Sequence, residues 1–183
     1  LMSGFGVDAG YRGVSNQLLM LRSYDLIGRA VDSLPFLQVD YITQGHFKTR
    51  NIYYDTPIII TPVRVYNYGL LYEIELLEDG TVHITSTNEK IPLDVTASYG
   101  DLVETPQFSA YIMPSERMVR SGKMYFRFRD RGSLIADFQG RLGLEFVSSG
   151  ASVLRMSLVS ETPDRDRDFI NKLAEVFLMQ NLE

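Results

Sequence analysis

Side chains able to do chemistry are sparse in this sequence, and few of them stand together. His46 and His83 are the two histidines and there is no cysteine. Thiolate nucleophiles, disulfides and the usual zinc sites are thereby removed. Neither histidine has a partner at ligand spacing, so each reads as an ordinary polar residue of a strand or loop. A Ser–His–Asp arrangement has no G-x-S-x-G elbow to support it. Gly140, Gly143 and Gly150 match neither a Walker-type loop nor the G-x-G-x-x-G of a dinucleotide site. No cofactor and no metal is expected.

The acidic groups read the same way. Asp164, Asp166 and Asp168 alternate with Arg165 and Arg167 at an expected helix start, where the dipole favours carboxylates. Glu73, Glu75 and Glu78 flank a hairpin and suit the exposed face of a strand that alternates Tyr72, Ile74 and Leu76. The basic cluster Arg127, Arg129 and Arg131 is more suggestive. It alternates with Phe126 and Phe128, so a strand would send the arginines to one face and the rings to the other. Such a face is suited to phosphate or carboxylate groups on a glycolipid or acidic sugar. It is equally suited to acidic partners, inside the fold or across a subunit interface, or to plain solvation. The eleven tyrosines, Tyr53-Tyr54 and Tyr66 with Tyr68 among them, could stack on sugar rings or sit half-buried in sheets.

The elements that would position these residues follow from patterning. Gly4, Gly6, Gly10 and Gly13 suggest a loop over the first dozen residues. A helix is expected from Ser15 to about Leu34, ended by Pro35. Phe36–Ile42, Ile58–Tyr66, Leu70–Leu77 and Thr81–Thr85 suit strands, with Asp79-Gly80 as a hairpin turn. Further strands are expected at Ile91–Val95, Gln107–Met113 and Met124–Arg129. A short helix at Ser133–Gly140 precedes strands at Leu144–Ser148 and Val153–Ser160. Thr162-Pro163-Asp164 opens a last helix, with threonine as cap and proline in first position. Nothing before Glu183 is expected to stop that helix, so it should continue beyond this chain.

With 183 residues, 45% hydrophobic and 22% charged, the chain suits one substantial domain. The class is α+β. The terminal segments are expected to form a helix-backed mixed sheet, with about 57–122 as a β-rich insertion within the single domain 1–183. The net charge of −5 gives no general attraction to nucleic acid or anionic lipid. No window reaches the roughly 20 apolar residues that cross a bilayer, and the first residues do not form a signal peptide. Because the chain opens on Leu1, a piece of a longer protein is expected, with any membrane anchor outside it.

Two segments resemble a family. Ser15-Asn16-Gln17-Leu18-Leu19-Met20-Leu21-Arg22-Ser23 leads into Leu26-Ile27-Gly28-Arg29-Ala30-Val31. Leu154-Arg155-Met156-Ser157-Leu158-Val159-Ser160-Glu161-Thr162-Pro163-Asp164-Arg165-Asp166 leads into Phe169-Ile170-Asn171-Lys172-Leu173-Ala174, with Phe177 further on. In this order they resemble the polysaccharide chain-length determinants and bacterial tyrosine autokinases, the polysaccharide co-polymerases. Arg129, Asp130 and Gly132 to Leu142 fit the linker before the second segment. The resemblance implies a periplasmic domain on the bacterial inner membrane, held by two flanking membrane helices that are not among these residues. A cytoplasmic tyrosine kinase follows in the autokinase branch. It implies a non-catalytic homo-oligomer that governs length and export of capsular polysaccharide, exopolysaccharide or O-antigen, working with the polymer or its polymerase and export machinery. The other reading is a carbohydrate-binding module that uses the β-rich insertion and the Arg127–Arg131 strand.

Overall fold

Secondary structure follows the hydrophobic patterning along most of the chain. The computed structural model describes residues 5–44, 49–148 and 152–181. In order the elements are α1 (Phe5–Leu21), α2 (Tyr24–Asp32), a 3-10 turn (Pro35–Gln38), β1 (Val39–Gln44), β2 (Thr49–Ile52) and β3 (Ile58–Val65). Then come β4 (Tyr72–Leu76), β5 (Thr81–Ser86), β6 (Asp94–Ser98), β7 (Leu102–Glu104), β8 (Phe108–Pro114) and β9 (Gly122–Phe128). The chain closes with α3 (Arg131–Arg141), β10 (Leu142–Ser148), β11 (Ser152–Leu158) and α4 (Pro163–Gln180). The α+β class is as the sequence indicates.

The N-terminal expectations need three corrections. The glycine-rich start is helical from Phe5. Each glycine costs up to about 1 kcal/mol in a helix, but propagation from an anchored turn is far easier than nucleation, and Leu21 at the other end is fully buried. The single helix expected over 15–34 is two. Ser23 is extended (φ −66°, ψ 146°) and its Oγ accepts the Leu26 N–H, so it caps a new helix. The second helix ends at Asp32, and Pro35 opens the 3-10 turn, which takes Phe36, Leu37 and Gln38 out of the expected strand.

The chain divides into two compact units. One is Leu1–Pro35 with Arg131–Glu183; the other is Phe36–Asp130. In the first, Leu26, Ile27, Ala30 and Val31 of α2 are buried, and α2 packs on α3 and α4. Phe138 of α3 stacks on Phe169 of α4, centroids 3.7 Å apart and planes 7° from parallel. β10 and β11 pair antiparallel from Leu142↔Leu158 to Ser148↔Ser152. The sheet from the chain ends is therefore an antiparallel pair where a mixed sheet is expected, because the connection is too short for a parallel crossover. Pro163 opens α4 as expected, yet the Thr162 side chain makes no capping bond; Asn181 occupies the C-cap position.

The second unit is all-antiparallel among the described residues. One sheet runs β2-β1-β9-β4-β5-β6 and another runs β3-β8-β7. Strict alternation builds the first: Tyr72, Ile74 and Leu76 point inward and Glu73 and Glu75 outward. The sheets share one core, in which the rings of Tyr72, Phe108, Phe126 and Phe128 meet at centroid distances of 5.1–6.3 Å. The Asp79-Gly80 turn joins β4 to β5. Gly80 has φ +82°, and among the described residues only glycines have positive φ. That excludes a two-residue I′ turn and fits a type I turn closed by a left-handed glycine.

Candidate functional site

The arginines divide between the two units. In the Phe36–Asp130 unit, Arg127 of β9 stands directly across from Asp40 of β1. Its Nε donates to Asp40 Oδ2 at 2.8 Å, and Arg129 Nη1 donates to the same oxygen at 3.1 Å. The Asp40 side chain is only 3% exposed, so one buried carboxylate gathers both guanidinium groups. Phe126 and Phe128 point inward, fully buried, as alternation requires. Arg131 does not join this face. The strand ends at Phe128, and Arg131 is the first residue of α3. It donates from Nε and Nη2 to the two oxygens of Asp32, at 2.7 and 2.8 Å. That bidentate pair holds the Asp32 carboxyl below the usual carboxylate range. The three arginines are thus paired within the fold, and the expected three-arginine strand face is two residues with Arg131 elsewhere.

Asp164, Asp166 and Asp168 also separate. Asp164 forms an exposed pair with Arg167. Asp166 is buried, and Arg141 Nη1 donates to its Oδ2 at 2.6 Å while Arg165 Nε approaches Oδ1 at 3.3 Å. Burial opposes its ionisation, but bonds from Arg141 and Ser160 and the charges of Arg165 and Arg141 outweigh it and keep the carboxyl below its ordinary range. Arg141 is saturated in turn, donating to Asp137 and to the Val159 carbonyl. His83 Nε2 lies 2.8 Å from Asp94 on the neighbouring strand, and Glu73 takes Lys123 and Tyr125. His46 lies outside the described residues. No group of three or more candidate metal ligands occurs among the described residues, and no described helix is long and apolar enough to cross a membrane.

The Phe36–Asp130 unit carries a cleft. It has a volume of about 460 Å³ and lies between the segments 53–56 and 115–117. Tyr41 and Ile59 line it, with Phe36, Tyr53 and Tyr54 among its walls. Tyr41 is buried and its hydroxyl accepts the Ile60 N–H at 2.8 Å; burial pushes the phenol up to about 12 despite that bond. Tyr53 meets Tyr54 edge-on, centroids 4.6 Å apart. Of these residues only the Tyr53-Tyr54 pair carries a sequence signal. Phe36 and Arg117 come to the cleft through chain reversals that no local pattern announces.

No protein-family model matches the chain, and no curated protein matches it in sequence.

Proposed function

We propose that this chain is a non-catalytic assembly domain of a bacterial polysaccharide co-polymerase, acting on the periplasmic face of the inner membrane. The observation that carries the reading is the discontinuous unit. Residues 15–31 and 154–174, the two segments with the resemblance, belong to one compact unit, and the 95 residues between its halves (130 − 36 + 1) form another. A unit built from both chain ends around a second unit supports this reading, and the second unit, Phe36–Asp130, is longer than the 57–122 insertion expected from the sequence.

Surface features of the discontinuous unit agree with assembly. β10 and β11 have only each other as strand partners among the described residues, and unpaired edges are templates for another chain. Leu19, Leu178 and Val159 are 69%, 61% and 88% exposed. Each such contact is weak alone, but tethering in a bilayer raises effective concentration and lets weak contacts sum. The mechanism is geometric: copies ring a site and set how long the growing polymer stays there. The basic-strand version of the sugar-binding alternative loses support, since Arg127 and Arg129 already serve Asp40.

The test is polymer length. Cells whose protein lacks only this segment should make polysaccharide without its normal modal length on a gel. An unchanged length distribution would contradict the proposal. The same reading expects no kinase, ATPase or glycosidase turnover from this chain.

A further inference from the structure

We infer that the cleft of the Phe36–Asp130 unit binds neutral hexose units of an oligosaccharide, with a pyranose ring stacked on Tyr54 and Phe36 and its hydroxyls held by Glu116 and Arg117. This goes beyond the assembly reading, concerns the other unit, and stands on the cleft alone.

The volume, about 460 Å³, falls within the roughly 300–1,000 Å³ of small-molecule sites, which combine apolar walls with a few polar groups. Phe36 is 59% and Tyr54 55% exposed. Large rings left in solvent on the walls of one concavity are a recognition feature, because a ring offers wide contact area at little entropic cost. The C–H face of a pyranose presents the flat, weakly positive surface that the negative face of an aromatic ring accepts.

The walls are also fixed in advance. Thr56 Oγ1 donates to the Ile58 carbonyl at 2.8 Å, and Ser115 Oγ donates to the Thr56 carbonyl at 2.6 Å. The Ser115 N–H reaches the Pro57 carbonyl at 3.0 Å, and the Arg117 N–H reaches Ser115 Oγ at 2.9 Å. These bonds staple the two segments together, so little ordering cost remains for a ligand.

Charge selects the class. Glu116 and Arg117 line the cleft, and the Asp55 carboxylate stands 3.7 Å from the Arg117 guanidinium. Two carboxylates against one guanidinium disfavour phosphates and uronates. A neutral polyol suits the site, because each hydroxyl both donates and accepts. It can donate a hydrogen bond to Glu116 and accept one from Arg117.

The chain has no tryptophan, so tyrosine emission, with amide NMR shifts, reads binding to the intact 183-residue chain. The probes are neutral oligosaccharides of glucose, galactose, mannose and N-acetylglucosamine, a hexuronate oligosaccharide, and an unstructured neutral peptide. At least one neutral sugar should saturate. Tyr54→Ala and Phe36→Ala should each weaken it roughly tenfold or more, with Tyr54→Phe and Tyr66→Ala close to the parent. Should the alanine variants destabilise the unit, Glu116→Gln on the exposed rim should weaken binding severalfold at an unchanged urea midpoint. No saturation by any neutral sugar, tighter binding of the hexuronate or the peptide, or binding that survives these substitutions would overturn the inference. None of those results touches polymer length in cells, so the two proposals fail separately.

Discussion

Asp166 Oδ2 accepts a 2.6 Å hydrogen bond from Arg141 Nη1 across the α3–α4 packing, with the Asp166 side chain 3% exposed. The same guanidinium lies 5.2 Å from the centre of the Phe138 ring, which stacks on Phe169. One arginine therefore joins a buried carboxylate to the aromatic contact that locks the two helices. Arg141→Met keeps much of the stem but leaves Asp166 facing Arg165 without its strongest donor. Breaking such a buried pair costs about 3 kcal/mol. Urea unfolding should show a loss of that order; a loss under about 0.5 kcal/mol, the range of ordinary surface changes, would count against a structural role.

The pair also sets a pH dependence. The folded pKa of Asp166 lies below its ordinary value, so its contribution is fully present above the unfolded value, about 3.9. It is lost as pH falls through the lower, folded value. The stability gap between the parent and Arg141→Met should be constant near neutrality and shrink below about pH 4. Chemical denaturation at a series of pH values measures it, and a gap that widens toward acid would refute the assignment.

In the other unit, Tyr72 is fully buried among Phe108, Phe126 and Phe128, and its hydroxyl has no hydrogen-bond partner among the described residues. Burial pushes that phenol up to about 12. Tyr72→Phe removes an unsatisfied polar atom without changing the ring packing, so stability should stay equal or rise by up to about 1 kcal/mol. Phe126→Ala at the centre of the same cluster should cost about 3–5 kcal/mol. Thermal and urea unfolding of the two variants would check this; a clear loss in Tyr72→Phe would show that the hydroxyl is satisfied.

Legibility in the sequence tracks how local the deciding interaction is. Alternation at Tyr72–Leu76 and Met124–Phe128 gives both strands and their inward faces, because period two is written in consecutive residues. Thr162-Pro163 gives the start of α4 for the same reason. The break between α1 and α2 rests on a single serine whose side chain turns back on Leu26, a weak signal within an otherwise helical stretch. β7 is three residues long and exists only because β8 lies beside it. The arginine cluster is half legible. Arg127 faces Asp40 through strand register between residues 87 apart, and the change from strand to helix before Arg131 takes the third member to a different carboxylate.

Assembly in the membrane is the most direct test of the proposed function. Single cysteines at Leu178 or Val159, both exposed, placed in the membrane-anchored protein that the proposal requires should give bismaleimide-crosslinked dimers and higher multimers in native membranes. A cysteine at the fully buried Leu173 should not. The proposal predicts a ladder whose upper limit stays fixed as crosslinker is raised. A protein that remains strictly monomeric at both exposed positions, with the cysteines shown to be reactive, would contradict it.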